Sequence, residues 1–577
     1  MLHLLEPDRL IPMERDRQGY FEATAEAEAG ARYGFRLDGG DDLPDPASRW
    51  QPYGVHGPSA LVDPAAFEWS DGGFRAPPLS ELVIYELHIG TFSEAGSFDG
   101  AIERLDDLVS LGVTACEIMP VGQFPGARNW GYDGVDLWAP QSTYGGPDGL
   151  RRLVDACHAR GLAVVLDVVY NHFGPEGNYL ERFAPYLSDL HHTPWGQGVN
   201  VDGPGSDEVR RFFIGNALHW LDEYHIDALR LDAIHGILDT SAVPFLRELG
   251  LAVAELGERR RRTLTLIAES DLNDPRVVQP AAIGGLGLDS AWCDDLHHSV
   301  HAALTGERDG YYSDFGTLRD LAKALRQGWV YDGAESVYRG RRYGGSPSGL
   351  DGKHFVVFSQ NHDQVGNRAL GDRLTRIVDA ERQKLAAGLV LLSPFVPLLF
   401  MGEEYGETAP FLYFTDHRDD DLNTAVREGR AREFEAFARS GELVDPHDPE
   451  AFLRSRLDWT RREQGAHRQH LDLYRELLRL RRDLAPLARL SLADASVTAM
   501  DDADLIVLRR RAAGEEVLVG FHLGDGESRP VPLPDAGWRQ LIDSADTRFG
   551  GPGGSHLQAG GLVLAPSSFV ALERTST

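Results

Sequence analysis

The amino-acid sequence predicts an α/β fold: a (β/α)8 TIM barrel with a small N-terminal β-sandwich domain and a C-terminal β-sandwich domain. Eight mostly apolar runs of strand length recur through the middle of the chain, which is typical of strands buried on both faces of a parallel sheet. Patterns with the period of an α-helix lie between many of these runs. The runs cover residues 83–87, 113–119, 163–169, 228–231, 264–268, 288–292, 355–358 and 396–400.

Helical patterns separate the apolar runs. Phe98, Ile102, Leu105 and Leu108 share one helical face, and the pattern ends at Gly112, a residue type that commonly follows the last turn of a helix. A similar pattern precedes Gly161, and a third covers residues 209–224. Strands alternating with helices indicate a parallel sheet closed by crossover connections.

The two ends of the chain differ from its middle. Residues 1–80 are rich in Gly, Pro and Asp and show no sustained helical period, which predicts the small β domain. Residues 81–487 hold the barrel pattern. Residues 488–577 contain short alternating or apolar runs separated by Pro, Gly and Asp, which predicts the C-terminal β-sandwich.

Composition limits the possible partners. The chain has 577 residues and a formal net charge of −32, which disfavours nucleic acid and anionic membranes, since both bind cationic surfaces. Its three cysteines cannot form a closed disulfide framework, which indicates a reducing compartment. No secretory signal is visible, so we expect a cytoplasmic protein.

One uncharged stretch, residues 385–402, is long enough to span a membrane. Ser393, Pro394 and Pro397 interrupt it, and proline removes backbone donors that lipid cannot replace. We therefore expect a buried helix, a turn and a buried strand, and no membrane partner.

Acidic residues follow three of the apolar runs. Asp232, Glu269 and Asp363 stand where separate strands end, and in a barrel these ends meet at one rim. One such acid commonly caps a helix or pairs with a cation, but three at one rim indicate a functional site.

A divalent metal site is the main alternative for this group of acids. No HExxH motif or cysteine cluster accompanies it, and Arg230 lies on the same strand face as Asp232. An arginine there favours an ionised Asp232, which suits a nucleophile better than a metal ligand. We expect no metal and no cofactor.

Glycoside hydrolysis needs two carboxyl groups beside the reacting bond, one ionised and one protonated. Glu269 follows a mostly apolar strand and would face two other acids, and both conditions favour its protonated form. It is the better candidate for the general acid/base.

Four segments, taken in order, resemble the four motifs of the α-amylase superfamily (glycoside hydrolase family 13): Asp-Val-Val-Tyr-Asn-His at 167–172, Leu-Arg-Leu-Asp-Ala-Ile-His at 229–235, Ala-Glu at 268–269 and Asn-His-Asp at 361–363. The resemblance implies that Asp232 is the nucleophile, Glu269 the acid/base and Asp363 the residue that stabilises the transition state. It also implies sugar contacts at the cleavage site for Arg230, His172, His362, His235 and, within residues 129–133, the aromatic Tyr132.

Residues 83–92, 171–179, 294–298, 361–368 and 401–404 resemble the trehalose-releasing members of that superfamily. This resemblance implies a retaining hydrolase that cuts the α-1,4 bond between a malto-oligosaccharide and terminal trehalose, with maltooligosyl trehalose as its small-molecule partner. Further sugar contacts are implied for Asp294, Asp295, His297, His298, Gln364 and Arg368.

Two other functions stay open from the sequence. A glycogen or α-glucan branching enzyme shares the domain order and the three acids, and a general α-amylase shares the acids. A non-catalytic glycan-binding protein is disfavoured, because all three acids are intact.

Overall fold

The computed structural model describes residues 1–435, 444–533, 537–558 and 561–574. Eight parallel strands form a closed barrel in which each strand pairs with the next along the chain and the last pairs with the first. This confirms the predicted barrel. Its strands are β1 (Ile84–Leu87), β2 (Ala115–Ile118), β3 (Ala163–Val168), β4 (Ala228–Leu231), β5 (Thr265–Ala268), β6 (Ser290–Trp292), β7 (Phe355–Val357) and β8 (Val396–Phe400).

The inward-facing residues change character along each strand. Ile84, Ala115, Val165 and Ile267 pack together in one buried cluster. Because side chains alternate between the two faces of a strand, the residues two positions later also point inward. Those residues are acidic, and they lie toward the carboxyl end of the barrel: Glu86, Glu117, Asp167 and Glu269.

The helices of the barrel region pack outside the strands. The pattern predicted as one helix before Gly112 forms two, because Arg104 adopts φ −106° and ψ −3° and interrupts the helical turn. Gly112 takes the left-handed conformation expected of it, with φ 103°. The helices are Ile89–Phe92, Phe98–Ile102, Leu105–Leu111, Gly146–His158, Ser206–Glu223, Phe245–Arg260, Asp294–Thr305, Leu318–Gln327, His362–Gly366, Leu374–Ile377, Ala380–Leu391, Asp420–Glu435, Pro449–Arg454, Gly465–Asp483 and Ala485–Ala488.

The uncharged stretch at residues 385–402 folds as expected. The helix Ala380–Leu391 is followed by a turn and by strand β8, and all five residues of that strand are buried. Among the described residues, no helix combines the length and apolar character needed to cross a membrane.

The N-terminal region is strand-rich. Five short strands form one antiparallel sheet and two more form a small ribbon. Residues from Pro64 onward then lead to β1 through two 3-10 turns, Pro64–Ala66 and Leu79–Glu81. The strands are Leu2–Leu5, Asp8–Ile11, Glu14–Arg15, Phe21–Glu22, Arg32–Arg36, Asp42–Leu43 and Ser59–Ala60.

The C-terminal region is also strand-rich, with a five-stranded antiparallel sheet and a two-stranded sheet. The sequence pattern misses the strand Trp538–Asp543, whose polar residues show no clear alternation. This strand is held at the edge of the sheet by pairing with Ser568–Arg574. The strands are Ala495–Met500, Leu505–Ala512, Glu515–His522, Trp538–Asp543, His556–Gln558, Gly561–Val563 and Ser568–Arg574.

Two buried arginines bind the turn that follows the helix Ala380–Leu391: Arg510 from the C-terminal sheet and Arg481 from the helix Gly465–Asp483. Arg510 is 1% exposed and donates to the carbonyl oxygens of Leu392 and Ser393, each at 2.9 Å. Arg481 donates to the carbonyls of Leu391 and Ser393 at 2.8 and 3.0 Å. These carbonyls follow the helix Ala380–Leu391, whose C-terminal end carries partial negative charge and therefore stabilises nearby cations.

Arg510→Ala is expected to lower the free energy of unfolding by about 2–3 kcal/mol, because it leaves buried carbonyls without a donor. Thermal and denaturant unfolding measure the effect. Arg511→Ala is the matched control, since its side chain is 58% exposed. The control should change stability by less than about 0.5 kcal/mol. Equal stability of the two variants would contradict the role given to Arg510.

Candidate active site

The three acids predicted from the sequence meet at the carboxyl end of the barrel. Asp232 directly follows β4, and its backbone N–H donates to the carbonyl of Val168 on β3 at 3.0 Å. Its Oδ1 accepts from Arg230 Nη1 at 2.7 Å, and its Oδ2 accepts from Asn171 Nδ2 at 3.2 Å. Two donors, one of them a cation, orient this carboxylate and stabilise its negative charge.

Arg230 lies at the centre of the site. Its side chain is fully buried, and Nη1 also donates to Asp167 Oδ2 at 2.7 Å and to the Tyr132 hydroxyl oxygen at 3.3 Å. The guanidinium packs over the Trp292 ring, 4.2 Å from the ring centroid. Rigid packing and several acceptors fix its position, so it serves as a preorganised cation beneath the acids.

Ala233, the residue after Asp232, has a strained backbone. Its φ of 38° lies in the left-handed region, which costs a residue with a Cβ about 1 kcal/mol. In this conformation its N–H donates to Glu269 Oε2 at 2.6 Å. Glu269 Oε1 makes no hydrogen bond to the described residues, so a proton on Oε1 can be given to a leaving group. The strain therefore places the two carboxyl groups relative to each other.

Glu269 has the electrostatic setting of a general acid. Burial raises its pKa well above the usual range for a glutamate, and the nearby charges of Asp232, Asp294 and Asp363 act in the same direction. Arg230, with Nη2 3.7 Å from Oε2, opposes this shift. One carboxyl group is thus kept protonated beside another that is held ionised, which is the pairing that glycoside hydrolysis requires.

Asp363 is the most exposed of the three acids, with 41% of its side chain accessible. It lies in the helix His362–Gly366, whose first turn is capped by Asn361 accepting from the backbone N–H of Gln364 at 2.8 Å. Asn367 donates to Asp363 Oδ1 at 3.2 Å. The carboxylate therefore faces the open cleft from a fixed helical turn.

Tyr132 and His362 form the floor beside the acids. Their rings stack at 5.2 Å between centroids, and the Tyr132 hydroxyl lies 2.6 Å from Asp167 Oδ2. The preceding Gly131 has φ 106°, and a Cβ there would lie 2.1 Å from the carbonyl oxygen of Pro120. Only glycine permits the turn that brings Tyr132 to this place.

His172, His235 and Trp195 form one side of the cleft. Trp195 stacks on His172 with centroids 5.7 Å apart and rings 9° from parallel, and it also contacts His235 at 5.9 Å. The indole is 44% exposed although it lies beside the site. An exposed flat ring at this position offers a stacking surface for a sugar ring.

Trp195→Ala is expected to raise KM about 2- to 10-fold with little change in kcat, because a stacking contact made in both ground and transition states contributes uniform binding. Steady-state kinetics on a glucan substrate measures this. Leu190→Ala, on the strand Leu187–Thr193 that precedes Trp195 and with Leu190 68% exposed, is the control and should leave KM unchanged. A fall in kcat alone would contradict a binding role.

Asp294 and Gln364 contact each other, with Gln364 Nε2 3.3 Å from Asp294 Oδ1. Burial and the neighbouring charges of Asp271, Asp363 and Asp295 raise the pKa of Asp294 to about 7. A carboxyl group poised between its two protonation states can accept or donate a hydrogen bond to a sugar hydroxyl.

Four other residues predicted to contact the sugar make their contacts within the protein. Asp295 Oδ2 accepts from Asn273 and from two backbone N–H groups, and His297 uses both ring nitrogens, toward the Ser359 carbonyl and the Tyr312 hydroxyl. Arg368 forms a two-pronged ion pair with Glu307, with both distances at 2.9 Å. His298 is 7% exposed and packs on the Tyr311 ring. Direct sugar contact by these four stays a prediction, and the contacts favour a supporting role.

Sequence reasoning missed Glu86, whose carboxylate contacts His362, and Trp292, whose ring carries Arg230. Both belong to runs predicted as barrel strands. An acid within an otherwise apolar run is the signal that could have revealed Glu86, since a buried charge needs a partner.

A structural calcium ion does not fit the residues present. Many amylases bind calcium partly through the asparagine before the motif histidine, which is Asn171 here. Its Oδ1 lies 2.9 Å from His172 Nδ1, and its Nδ2 donates to Asp232. Within the described part of the chain, no group of three or more His, Cys, Asp or Glu side chains could hold a metal ion.

The closed barrel, the ionised and protonated carboxyl pair and the third acid at the cleft define a glycoside hydrolase of the α-amylase class. Family comparisons agree: the Alpha-amylase catalytic domain matches residues 62–192, and a domain of unknown function, DUF3459, matches residues 493–571.

Relatives with curated names identify the family within this class. A malto-oligosyltrehalose trehalohydrolase of Rhizobium sp. (strain M-11) is 48% identical over 92% of this chain and 89% of its own length. One of Mycobacterium tuberculosis is 42% identical over 96% of this chain and 95% of its own. A solved structure described as a putative alpha amylase from Salmonella typhimurium is 39% identical, with a TM-score of 0.90 over 100% of this chain and 95% of that one. The chain belongs to the malto-oligosyltrehalose trehalohydrolase family.

Proposed function

We propose that the protein hydrolyses the α-1,4 bond between a malto-oligosaccharide and terminal trehalose, and releases trehalose by double displacement with retained configuration. The observation that carries the proposal is the pair formed by Asp232 and Glu269, one held ionised by Arg230 and the other kept protonated by burial. The relatives' shared name supports the choice of substrate.

In the first step, the Asp232 carboxylate attacks the anomeric carbon of the glucose next to trehalose. Glu269 gives its proton to the bridging oxygen, the glycosidic bond breaks, and trehalose leaves. The malto-oligosaccharide is then bonded to Asp232 as an ester. Asp363 stabilises the positive charge that develops on the sugar ring in the transition state.

In the second step, Glu269 is ionised and takes a proton from water. The resulting hydroxide attacks the same anomeric carbon, and the bond to Asp232 breaks. Two inversions at one carbon give net retention, and both carboxyl groups return to their starting protonation states. Water as the acceptor distinguishes this reaction from that of a branching enzyme, which passes the glycosyl group to another glucan.

Counting reducing ends tests hydrolysis against transfer. Maltooligosyl trehalose has no reducing end, so hydrolysis should create one for every trehalose released, first as the α-anomer. Transfer would release trehalose without new reducing ends and would create α-1,6 branches. Proton NMR of the anomeric region follows both products during one reaction.

We also propose that the enzyme acts in a reducing, cytoplasmic setting. Cys116, Cys157 and Cys293 are buried free thiols, which suits such a compartment. A small neutral oligosaccharide is a partner compatible with the strongly negative net charge, whereas nucleic acid is not.

A further inference from the structure

Two glutamates lie side by side beneath the catalytic acids. Glu86 on β1 and Glu117 on β2 are direct neighbours in the parallel pairing, and each is 1% exposed. Glu86 Oε2 accepts from the backbone N–H of His362 at 3.0 Å, and its Oε1 lies 2.5 Å from His362 Nδ1. Neither oxygen of Glu117 has a hydrogen-bond partner among the described residues. The two carboxyl groups therefore have different tasks.

The hydrogen bonds around His362 determine its charge. The Tyr132 hydroxyl has one proton, which it donates to Asp167 Oδ2 at 2.6 Å, so its oxygen accepts from His362 Nε2 at 2.8 Å. Asp167 Oδ2 also accepts from Arg230, which leaves no room for a proton on that oxygen. With Nε2 donating to Tyr132, an ionised Glu86 whose Oε1 accepts from Nδ1 places hydrogen on both ring nitrogens and makes the ring an imidazolium.

We propose that Glu86 is a positioning residue that holds His362 as a cation at the sugar-binding floor, while its neighbour Glu117 stays uncharged. The proposal deepens the proposed function and rests on it for the substrate, because it assigns the charge of the buried ring that contacts Tyr132 and Asp363, two residues predicted to act on the sugar that is cleaved. His362 Nε2 lies 3.5 Å from Asp363 Oδ1, so the cation is also close to that carboxylate.

The surroundings of His362 agree with this charge distribution. Burial alone lowers the pKa of His362, but Asp363 and Glu86 outweigh it and raise the pKa to about 9, against the opposing charge of Arg230. Burial raises the pKa of Glu117, and the charges of Glu86 and Asp167 add to the rise. The titratable and charged groups around His362 are Glu86, His88, Glu117, Tyr132, Arg230 and Asp363. Asp167 is connected to it through the Tyr132 hydroxyl.

The two glutamates form a matched pair for mutagenesis. Glu86→Gln removes a charge but keeps an oxygen that can accept from the His362 backbone, and Glu117→Gln replaces an uncharged group by another of the same shape. Removal of a carboxylate that orients a metal-ligating histidine commonly costs about 10- to 100-fold in activity, and Glu86 contacts His362 through the same kind of hydrogen bond. We expect that loss in kcat/KM for Glu86→Gln and less than about a twofold change for Glu117→Gln.

The direct readout is the charge of His362, measured by nitrogen-15 NMR of enzyme labelled at histidine, with His362→Asn to assign the signal. In the wild-type enzyme and in Glu117→Gln, His362 should stay an imidazolium at neutral pH and lose its proton near pH 9. In Glu86→Gln it should be neutral already at neutral pH. If Glu86 served only to fill space in the core, its replacement by glutamine would leave the pKa of His362 unchanged.

Two results would overturn the proposal: a neutral His362 in the wild-type enzyme at neutral pH, or the same loss of charge in both glutamine variants. The wild-type titration decides the first point even if a variant fails to fold. Because the NMR measurement uses no substrate, its outcome is separate from that of the proposed function. If His362 is charged but the enzyme releases no trehalose, the proposed substrate is wrong and the proposed role of Glu86 still stands.

Discussion

Asp232→Asn is expected to lower kcat about 10⁴-fold or more while the protein stays folded, because the amide cannot form the covalent intermediate. The contacts of Asp232 with Arg230 and Asn171 are made by its side-chain oxygens, and asparagine keeps one of them. The backbone hydrogen bond to Val168 is unaffected by the change. Rates of sugar release and thermal unfolding measure the two halves of this prediction.

The Glu269→Gln variant, with its own nucleophile intact, offers a positive control for the same assignment. On a malto-oligosyl fluoride, whose leaving group needs no proton from Glu269, the first step should proceed while the second stays slow. The glycosyl–enzyme should then accumulate, and peptide mass spectrometry should find the sugar on the peptide that carries Asp232. Unchanged activity of Asp232→Asn, or a sugar bonded to a different acid, would rule out Asp232 as the nucleophile.

Glu269→Gln carries the second large effect. General acid–base catalysis contributes about 10²- to 10⁴-fold, and we expect a loss of kcat in that range. Glutamine can still accept the hydrogen bond from the Ala233 N–H, so the geometry of the neighbouring strained residue should persist. Steady-state rates of trehalose release from maltooligosyl trehalose measure the loss.

The pH dependence separates an acid/base role from a structural one. The pKa of Glu269 is raised, so the proton needed for the first step is present at neutral pH and is lost as the pH rises through that pKa. Wild-type activity should therefore fall on the alkaline side. In Glu269→Gln this fall should disappear, leaving a low rate that stays level until His362 titrates near pH 9. If the activity of Glu269→Gln fell at alkaline pH in the same way as that of the wild-type enzyme, Glu269 would not be the general acid/base.

The barrel was predictable because its signal is local. Each strand is buried on both faces, so it appears in the sequence as an apolar run, and the acids that end these runs must meet wherever a barrel closes. Asp232, Glu269 and Asp363 could therefore be named before any coordinates, and the structure brings them to one rim. Their individual roles as nucleophile, acid and stabiliser stay predictions that the experiments above test.

The supporting residues were less predictable because their roles depend on contacts between distant segments. Asp295 and His297 belong to a segment that resembles a sugar-binding motif, yet their side-chain polar atoms contact residues 15 to 62 positions away. Glu86 is hidden within an apolar run, and its partner His362 is 276 positions away. The strand Trp538–Asp543 is stabilised by pairing with Ser568–Arg574 at an edge of the C-terminal sheet, and its own sequence shows no alternation that would predict it.

The central claim is that the enzyme acts on trehalose-ended chains, and a paired digestion tests it most directly. Purified enzyme receives maltohexaosyl trehalose in one reaction and maltooctaose in another, both without added metal, and chromatography follows the products. The two substrates contain the same number of glucose units and differ in the linkage at one end. We expect free trehalose and maltohexaose from the first substrate and little cleavage of the second. Cleavage or rearrangement of both substrates at similar rates would contradict the claim and indicate a general amylase or a branching enzyme.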